Sequence, residues 1–438
     1  MINTVEQQFR SYSQIVGEIP DNLESEKFIT VERVPPIKVY SLGFQPAKFI
    51  PEIPRWFLKK YADPDFTILD PFCGSGTTLL EAIQQNISAY WLDYHPLSCL
   101  ICQVKTTVFS TQEILEATTQ IIEKTSTQKF APATINFSNK DFWFQQPVQE
   151  GLELLREQIL LAESSLQPLL WLAFASTVRK TSNMNDGMIL AARRSHIEKI
   201  PIRSRSDVFQ YFQHYVKQSI EAFVEWNPFL NKFDAKIQQL SSQDARQLPE
   251  QLKVDAIITS PPYINAIDYV WASKFELHWL GLVNSNQERL NLYSKEIGTE
   301  RIPKQECKEL GKTGYLHLDR LIEDIYYGKR YQATSGQNQL RSRVVYQYFM
   351  DMKSHFLQSL KVLKKGGYYC FSVGDVSNIC GVEIPVASLL SEIAFDLGFK
   401  QIFTFNLLLK NRRLNLPRNV NWAGTIKHDT TIVLEKLN

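Results

Sequence analysis

The chain has 438 residues, 44% of them hydrophobic, which allows two domains or one large domain with insertions, each with a sizeable core. No apolar run approaches the roughly 20 residues that a membrane-spanning helix needs. The polar N-terminus does not resemble a signal peptide, so we expect a cytoplasmic protein without a membrane partner. The net charge of +2 means that an anionic partner must be argued from local clusters.

The six cysteines are scattered through segments of different character, which argues against a disulfide framework. Cys99 and Cys102 form a Cys-x-x-Cys pair on an apolar helical pattern, without a second pair to complete a metal site. We therefore expect core cysteines and no bound metal.

The first 35 residues are polar and predict an N-terminal arm or a loose helix. From Pro36 the sequence becomes more apolar, and the segment Gln45–Pro51 leads into Ile53, Trp56 and Phe57 at helical spacing. This entry segment is predicted to pack onto the motif that follows.

That motif runs from Thr67 to Ala82 as Thr-Ile-Leu-Asp-Pro-Phe-Cys-Gly-Ser-Gly-Thr-Thr-Leu-Leu-Glu-Ala. A short strand ends at Asp70, a loop contains Gly74 and Gly76, and a helix begins near Thr77. The glycines let a ligand approach the backbone, and the helix N-terminus offers free amide donors. The pattern predicts a cradle for a nucleoside cofactor. No Gly-Lys-Ser/Thr follows, which excludes a Walker phosphate loop.

A second strand, 89–92, ends at Asp93, about twenty residues after the glycine loop. In a Rossmann-like unit an acidic residue at this position accepts the ribose hydroxyls. The alternative is a solvated aspartate in a turn.

Residues 110–233 show mainly helical patterns and predict a helical insertion. Its middle is basic, which indicates contact with nucleic-acid phosphates, although such a run can also be a solvated face. The candidate phosphate-binding residues are Arg179, Lys180, Arg193, Arg194, Arg203 and Arg205.

A β-branched run at 256–259 predicts a buried parallel strand that ends at Ser260-Pro261-Pro262-Tyr263. Ligands of open α/β sheets bind at the carboxyl ends of the strands. The stiff backbone lets the Ser260 and Pro261 carbonyls act as fixed acceptors beside the Tyr263 ring. Such a site suits a planar group with an amine, as in a nucleobase. Taken alone, the motif could equally be a strand-ending turn.

After this motif, the spacing of Trp271, Phe275 and Trp279 predicts a helix. We expect these aromatic side chains to pack in the protein core rather than to stack on bases. Residues 284–343 are polar and predict a second, looser insertion. The later patterns predict a helix at 346–363, a strand at 368–373, a helix at 384–397, and an edge hairpin from strands at 401–407 and 430–434.

Together, the motifs Asp70–Thr78 and Ser260–Tyr263 resemble those of the amino-group DNA methyltransferases, the N4-cytosine and N6-adenine enzymes. Residues 36–105 and 235–281 carry the resemblance, and 345–436 follow it in pattern. It implies an α/β fold with a Rossmann-like seven-stranded sheet and an antiparallel edge hairpin, formed by 36–109 and 234–438, and S-adenosylmethionine as cofactor.

The resemblance also assigns roles to individual residues. Asp70 would lie near the methionine amino group, Asp93 at the ribose, and Asp244 with Ala245 at the adenine edge. Lys48 and Phe49 would flank the cofactor, and Thr77 opens the helix. The methionine end would be lined by Phe72, Cys73, Gly74, Ser75 and Gly76.

In the implied reaction, Ser260 Oγ and the Pro261 carbonyl bind the amine hydrogens of a base flipped out of double-stranded DNA, and Tyr263 stacks on that base. Serine at the first motif position leans towards cytosine N4. Cytosine-C5 methylation would need a Pro-Cys, which the sequence lacks. Of the two insertions, we favour 110–233 as the target-recognition region, within a restriction-modification or defence system with a cognate endonuclease.

Other functions remain open from the sequence. The enzyme could methylate adenine N6 in DNA, or a guanine or adenine amine in RNA, although Ser260 replaces the aspartate usual in the RNA enzymes. A non-catalytic nucleic-acid-binding protein could keep the fold. The joint presence of Gly74, Gly76, Asp93, Ser260 and Tyr263 argues against that.

Overall fold

The computed structural model describes residues 12–32, 36–128, 134–185, 187–191, 199–264, 267–334, 336–409 and 426–437. A mixed sheet of nine strands, in the order β1-β2-β10-β11-β7-β6-β3-β4-β5, forms the centre, and β8 and β9 form a separate hairpin. The strands are β1 Ser13–Val16, β2 Phe28–Glu32, β3 Thr67–Asp70, β4 Ser88–Trp91, β5 Ile237–Gln239, β6 Val254–Thr259, β7 Leu363–Gly374, β8 Val376–Ile379, β9 Val382–Pro385, β10 Phe399–Leu408 and β11 His428–Lys436.

The predicted mixed α/β fold is confirmed, with more strands than expected. Strands β5, β4, β3, β6 and β7 run parallel, and β11 lies antiparallel between β7 and β10. These seven strands correspond to the expected sheet. Its hairpin is not at the edge, because β2 pairs in parallel with β10, and β1 with β2.

The two additional strands come from the segment that we expected to be an N-terminal arm. Ile29 of β2 is fully buried, and Asn406 of β10 lies opposite Phe28 in the register. The run Phe28–Glu32 contains three β-branched residues that fit a pleated surface. The described part of this segment is therefore built into the sheet.

Between β4 and β5 the chain is mostly helical. Helices from all parts of the chain cover both faces of the sheet. They are α1 Glu52–Tyr61, α2 Thr77–Gln84, α3 Pro96–Lys105, α4 Thr111–Thr127, α5 Lys140–Trp143, α6 Gln146–Leu160, α7 Gln167–Thr181, α8 Arg205–Lys232, α9 Tyr269–Ala272, α10 Lys274–Trp279, α11 Asn286–Asn291, α12 Leu316–Tyr326, α13 Gln337–Val362 and α14 Val386–Leu397.

Three large apolar cores hold these elements together, and a small fourth cluster of Val270, Leu277, Val283 and Tyr293 lies around α9 and α10. One lies between the sheet and α12, α13 and α14, and a second lies on the opposite face against α1 and α2. The third joins α4–α8 to α2, α3 and α10. The helical segment thus packs on the helices that follow β3 and β4 and on the helix that follows the Ser-Pro-Pro-Tyr loop.

The region 284–343 is more ordered than the looser insertion that its polar composition suggested. Leu318, Ile322 and Ile325 of α12 are fully buried against α13. Their spacing places them on one helical face, a pattern that the surrounding charges obscured. Helix α13 begins at Gln337 rather than at 346, after Gly336 in a left-handed conformation. Among the described residues no helix is long and apolar enough to cross a membrane.

Trp226 fixes the long helix α8 to the sheet domain. Its indole is fully buried, and its Nε1 donates a hydrogen bond to the Lys105 carbonyl at the end of α3 (2.8 Å). The next residue, Asn227, donates through Nδ2 to the Phe109 carbonyl (2.7 Å). The two bonds anchor α8 where the chain leaves α3.

Trp226→Ala should lower the free energy of unfolding by about 3–5 kcal/mol, since it leaves a cavity and an unpaired carbonyl. Chemical denaturation measures the change. Val224→Ala on the exposed side of the same helix is the matched control and should change stability by less than about 1 kcal/mol. Equal effects of the two substitutions would contradict the anchoring role.

Candidate active site

The two sequence motifs meet at the carboxyl ends of neighbouring strands. β3 pairs in parallel with β6, with Leu69 opposite Ile257. The Thr259 hydroxyl donates a 2.6 Å hydrogen bond to Asp70 Oδ1, and the Phe72 amide donates to the same oxygen (3.1 Å). Burial raises the pKa of Asp70 to about 6, and the Thr259 bond opposes that rise. The first residue of the glycine motif is therefore bonded to the residue that immediately precedes the Ser-Pro-Pro-Tyr motif.

The glycine loop needs glycine at the two positions that the sequence indicated. Gly74 and Gly76 have φ of +49° and +77°, in the left-handed region that side chains disfavour. Gly76 caps α2, and a Cβ there would lie 3.2 Å from Cys102 Sγ. The Cys73 thiol lies 3.3 Å from the same sulfur, and burial raises the pKa of Cys73, so Cys73 packs as a thiol.

Asp93 lies under the glycine loop at the end of β4. Its Oδ2 accepts from the Gly74 amide (2.9 Å), and its Oδ1 accepts from the His95 amide (2.8 Å). A carboxylate has about four acceptor positions, so about two remain for a ligand with two hydroxyls. Burial raises the pKa of Asp93 to about 6, against the two amide bonds. The carboxylate is thus held in one orientation.

Lys105, which the sequence analysis did not select, supports the glycine loop from behind. Its ammonium donates to the Ser75 carbonyl (2.9 Å) and, more weakly, to the Tyr40 carbonyl (3.5 Å). Burial holds the pKa of Lys105 well below its ordinary value. The sequence did contain an indication that Lys105 is buried. Lys105 follows Ile101 by four residues and therefore lies on the same, buried face of α3.

The entry segment lies beside this loop, as its composition suggested. A Cβ on Gly74 would lie 3.4 Å from the Gln45 amide nitrogen. The Lys48 ammonium donates to the Tyr40 carbonyl (3.0 Å), and Phe49 packs, partly buried, against the core on this face of the sheet. Lys48 thus shares the Tyr40 carbonyl with Lys105, and Phe49 packs against the same core as Cys73.

His355 of α13 connects the Asp244–Ala245 loop to the glycine loop. One ring nitrogen is 2.8 Å from the Ala245 carbonyl, and the ring meets Phe72 edge to face at 4.9 Å. Burial lowers the pKa of His355 to about 4, so the imidazole is neutral. Arg246 pairs with Asp244 through Nε and Nη2 (2.9 and 2.8 Å), which leaves Asp244 little free acceptor capacity.

The Ser-Pro-Pro-Tyr loop follows β6. The Ser260 hydroxyl donates to the Ser372 carbonyl of β7 (3.2 Å), and this direction leaves the lone pairs of Ser260 Oγ available as acceptors. Pro261 is buried, and Pro262 is partly buried. Tyr263 lies against the end of β7, where a Cβ on Gly374 would be 3.3 Å from the tyrosine ring.

Glu296, also missed in the sequence, connects the cofactor side of the site to the region after Tyr263. Its Oε1 accepts from the Tyr94 hydroxyl (2.8 Å), which follows Asp93, and from the Tyr269 amide (3.3 Å). Two residues on, a Cβ at Gly298 would lie 3.7 Å from the Tyr263 carbonyl. Burial and the nearby Asp268 raise the pKa of Glu296 to about 8.

Two of the six candidate phosphate-binding residues hold the protein together instead. Arg179 Nε pairs with buried Glu276 (2.7 Å), and its guanidinium lies 3.4 Å from the centre of the Phe44 ring. Arg203 is buried and donates to the Ser182 carbonyl (3.3 Å). The interpretation of Arg179 and Arg203 as surface contacts is corrected, because both cations face internal partners.

The other four candidates differ in what the structure shows. Lys180 is partly buried, with its ammonium 5.9 Å from the centre of the Tyr211 ring. Arg205 pairs with Glu150, and its side chain is 37% exposed. Arg193 and Arg194 lie outside the described residues. The described members of the patch are thus less exposed than the run of charges suggested. No metal-binding group of His, Cys, Asp or Glu occurs in the described parts of the chain.

Comparison with known proteins supports the resemblance to DNA methyltransferases. A family described as DNA methylase matches residues 7–103. The Type II methyltransferase M.MvaI of Kocuria varians is 23% identical over 419 residues, 89% of this chain and 88% of that protein. M.BsoBI of Geobacillus stearothermophilus is 24% identical over 82% of this chain and 78% of its own length. M.AvaI of Anabaena variabilis is 24% identical over 76% and 73%. These matches confirm the resemblance drawn from the two motifs.

Glu296→Gln should remove a pH dependence of stability. A glutamate titrates at 4.5 in the unfolded chain and at about 8 here, so the folded protein binds the extra proton between these values. The wild type should therefore lose stability relative to Glu296→Gln as the pH rises from about 5 to 8, by up to about 1.4 kcal/mol for each unit of displaced pKa.

Denaturation curves of both proteins across this pH range measure the difference. Gln keeps the acceptor for the Tyr94 hydroxyl, so the two proteins should be most alike at the acidic end of the range. Parallel pH profiles would contradict the buried, protonated Glu296.

Proposed function

We propose that this chain is an amino-group DNA methyltransferase, which transfers a methyl group from S-adenosylmethionine to the exocyclic amine of a base flipped out of double-stranded DNA, with cytosine N4 as the preferred target. The observation that carries the proposal is the 2.6 Å hydrogen bond from Thr259 to Asp70. It joins the loop suited to a nucleoside cofactor to the loop suited to an amine. Donor and acceptor sites of a group transfer have to be this close.

The residues around the glycine loop fit S-adenosylmethionine. Asp93 keeps about two acceptor positions for the ribose hydroxyls, and the left-handed glycines leave the backbone open where Phe72 to Gly76 would line the methionine end. Asp70 would hold the amino group, Ala245 and Asp244 would meet the adenine edge, and Lys48 and Phe49 would flank it. When bound, the cofactor supplies an electrophilic methyl group on a sulfonium.

The chain's own contribution is to prepare the amine. An exocyclic amine is a poor nucleophile, because its lone pair is delocalised into the ring. Ser260 Oγ, whose proton is engaged by the Ser372 carbonyl, and the Pro261 carbonyl would accept the amine hydrogens and leave the nitrogen lone pair free to attack. Fixed dipoles need no reorganisation during the reaction. Tyr263 would hold the base by stacking.

Serine at position 260 supports cytosine N4 over adenine N6, with adenine as the second candidate. The target amine is inaccessible inside a duplex, so the base has to leave the stack. Lys180, Arg205, Arg193 and Arg194 remain candidates for phosphate contacts. A cognate restriction endonuclease belongs to the same proposal, since the relatives are named Type II methyltransferases.

Tyr263→Ala and Asp93→Ala should affect different steps, so each variant is the control for the other. Stacking on an aromatic ring contributes about 1–3 kcal/mol, so Tyr263→Ala should lower kcat/KM for DNA by roughly tenfold to a hundredfold and leave the cofactor Kd unchanged. Asp93→Ala should weaken cofactor binding, because the ribose loses its acceptor. Calorimetry and initial rates separate the two, and an unchanged rate in Tyr263→Ala would overturn the assigned mechanism.

The function itself is tested by incubating the protein with labelled S-adenosylmethionine and either mixed-sequence DNA or total RNA. Nucleosides from each digest are then identified. N4-methylcytosine from DNA is the expected product, and N6-methyladenine would keep the mechanism but change the base. Label in RNA alone would overturn the substrate, and failure to bind either cofactor or DNA would overturn the enzyme assignment.

A further inference from the structure

Helix α10, which follows the Ser-Pro-Pro-Tyr loop and α9, contains a lysine that is buried among aromatic rings. Lys274 is only 9% exposed. Its ammonium lies 3.8 Å from the centre of the Trp271 ring, 4.2 Å from that of Trp143 and 4.9 Å from that of Phe275. Aromatic faces attract a cation but replace only part of its hydration.

A second cation lies beside this lysine. The Arg289 guanidinium of α11 is 5.6 Å from the centre of the Trp271 ring, and its Nη1 is buried without a hydrogen-bond partner. Burial and, to a smaller extent, the charge of Arg289 lower the pKa of Lys274 to about 8. His278, one turn along α10, stacks on Phe137 at 4.9 Å. No carboxylate pairs with Lys274 or Arg289 among the residues that the structure describes.

The neighbouring acidic groups have other partners. Glu276 of the same helix pairs with Arg179, and Glu288, next to Arg289, accepts from Asn284. Two cations that share one aromatic wall without a counterion raise each other's energy. Such a pair is stabilised when an anion from outside the protein binds between them.

The position of the pair indicates which anion this is. α9 and α10 continue the chain from Tyr263, and Trp143 belongs to the helical segment, so the pair lies where that segment meets the catalytic region. We propose that Lys274 and Arg289, against Trp271 and Trp143, bind a backbone phosphate of the DNA strand that presents the target base. This inference rests on the proposed function.

The test uses Lys274→Met and Arg289→Met, which remove a charge and keep an apolar side chain. Lys365→Met is the matched control, because exposed Lys365 lies near the amino end of β7, away from the catalytic loops. For each full-length protein, fluorescence anisotropy gives the Kd for a labelled mixed-sequence duplex over a salt series. Calorimetry gives the cofactor Kd, and thermal unfolding gives Tm.

Each Met substitution in the pair should weaken DNA binding at low salt by about tenfold and reduce the slope of log K against log salt by about 1, while cofactor binding stays unchanged. Lys274→Met should also raise Tm, since it removes a buried, unpaired charge. Lys274→Arg should retain most of the DNA affinity. Inorganic phosphate at millimolar concentration should compete poorly with DNA. A DNA strand makes many further contacts with the protein, whereas a free phosphate ion makes only this one.

Several results would overturn the proposal. Wild-type affinity and salt slope in both Met variants would assign the pair to folding alone. An equal loss in Lys365→Met would show a general effect of net charge. If the wild type itself binds cofactor but no DNA, the proposed function fails together with this inference, whereas wild-type binding with unaffected variants removes only the inference.

Discussion

The site depends on one buried contact, the hydrogen bond from Thr259 to Asp70 between neighbouring parallel strands. It fixes the relative height of β3 and β6 at the edge where their loops begin. The Gly74–Gly76 loop and the Ser260–Tyr263 loop therefore start from a common point. The chain between these strands includes the whole helical segment, and the two loops still meet, because the sheet rather than the chain order sets their distance.

Around this contact, ionisable groups are buried without full counterions. Lys105 rests on backbone carbonyls, Asp93 accepts backbone amides, and Glu296 accepts a tyrosine hydroxyl. Burial lowers the pKa of Lys105 and raises those of Asp93 and Glu296, so it favours the neutral form of each group. Burying the charged form of each group costs free energy, but their hydrogen bonds fix the directions of their dipoles before a ligand binds. That is the condition under which polar groups lower a reaction barrier.

The sequence predicted the parts of the protein where local chemistry and fold agree. The glycines after β3, Asp93 after β4 and the prolines after β6 have to stand where strands end. His355 and Glu296 act through contacts with residues far away in the chain, and no local pattern shows such contacts. The helical spacing could place Lys105 on a buried face, but it could not show that its partners are the Ser75 and Tyr40 carbonyls. The prediction for Arg179 failed for the same reason. A run of basic residues in the sequence does not show that buried Glu276 lies nearby and pairs with Arg179.

The pairing of β2 with β10 has a consequence for how the protein is made. Almost the whole chain separates Phe28 from its partner Asn406. Synthesis proceeds from the N-terminus, so β1 and β2 are made long before β10 leaves the ribosome. Until then the buried face of Ile29 has no partner in the sheet, and closing so long a loop is slow. During that interval β1 and β2 leave an apolar face and an unpaired strand edge exposed, and both features favour aggregation.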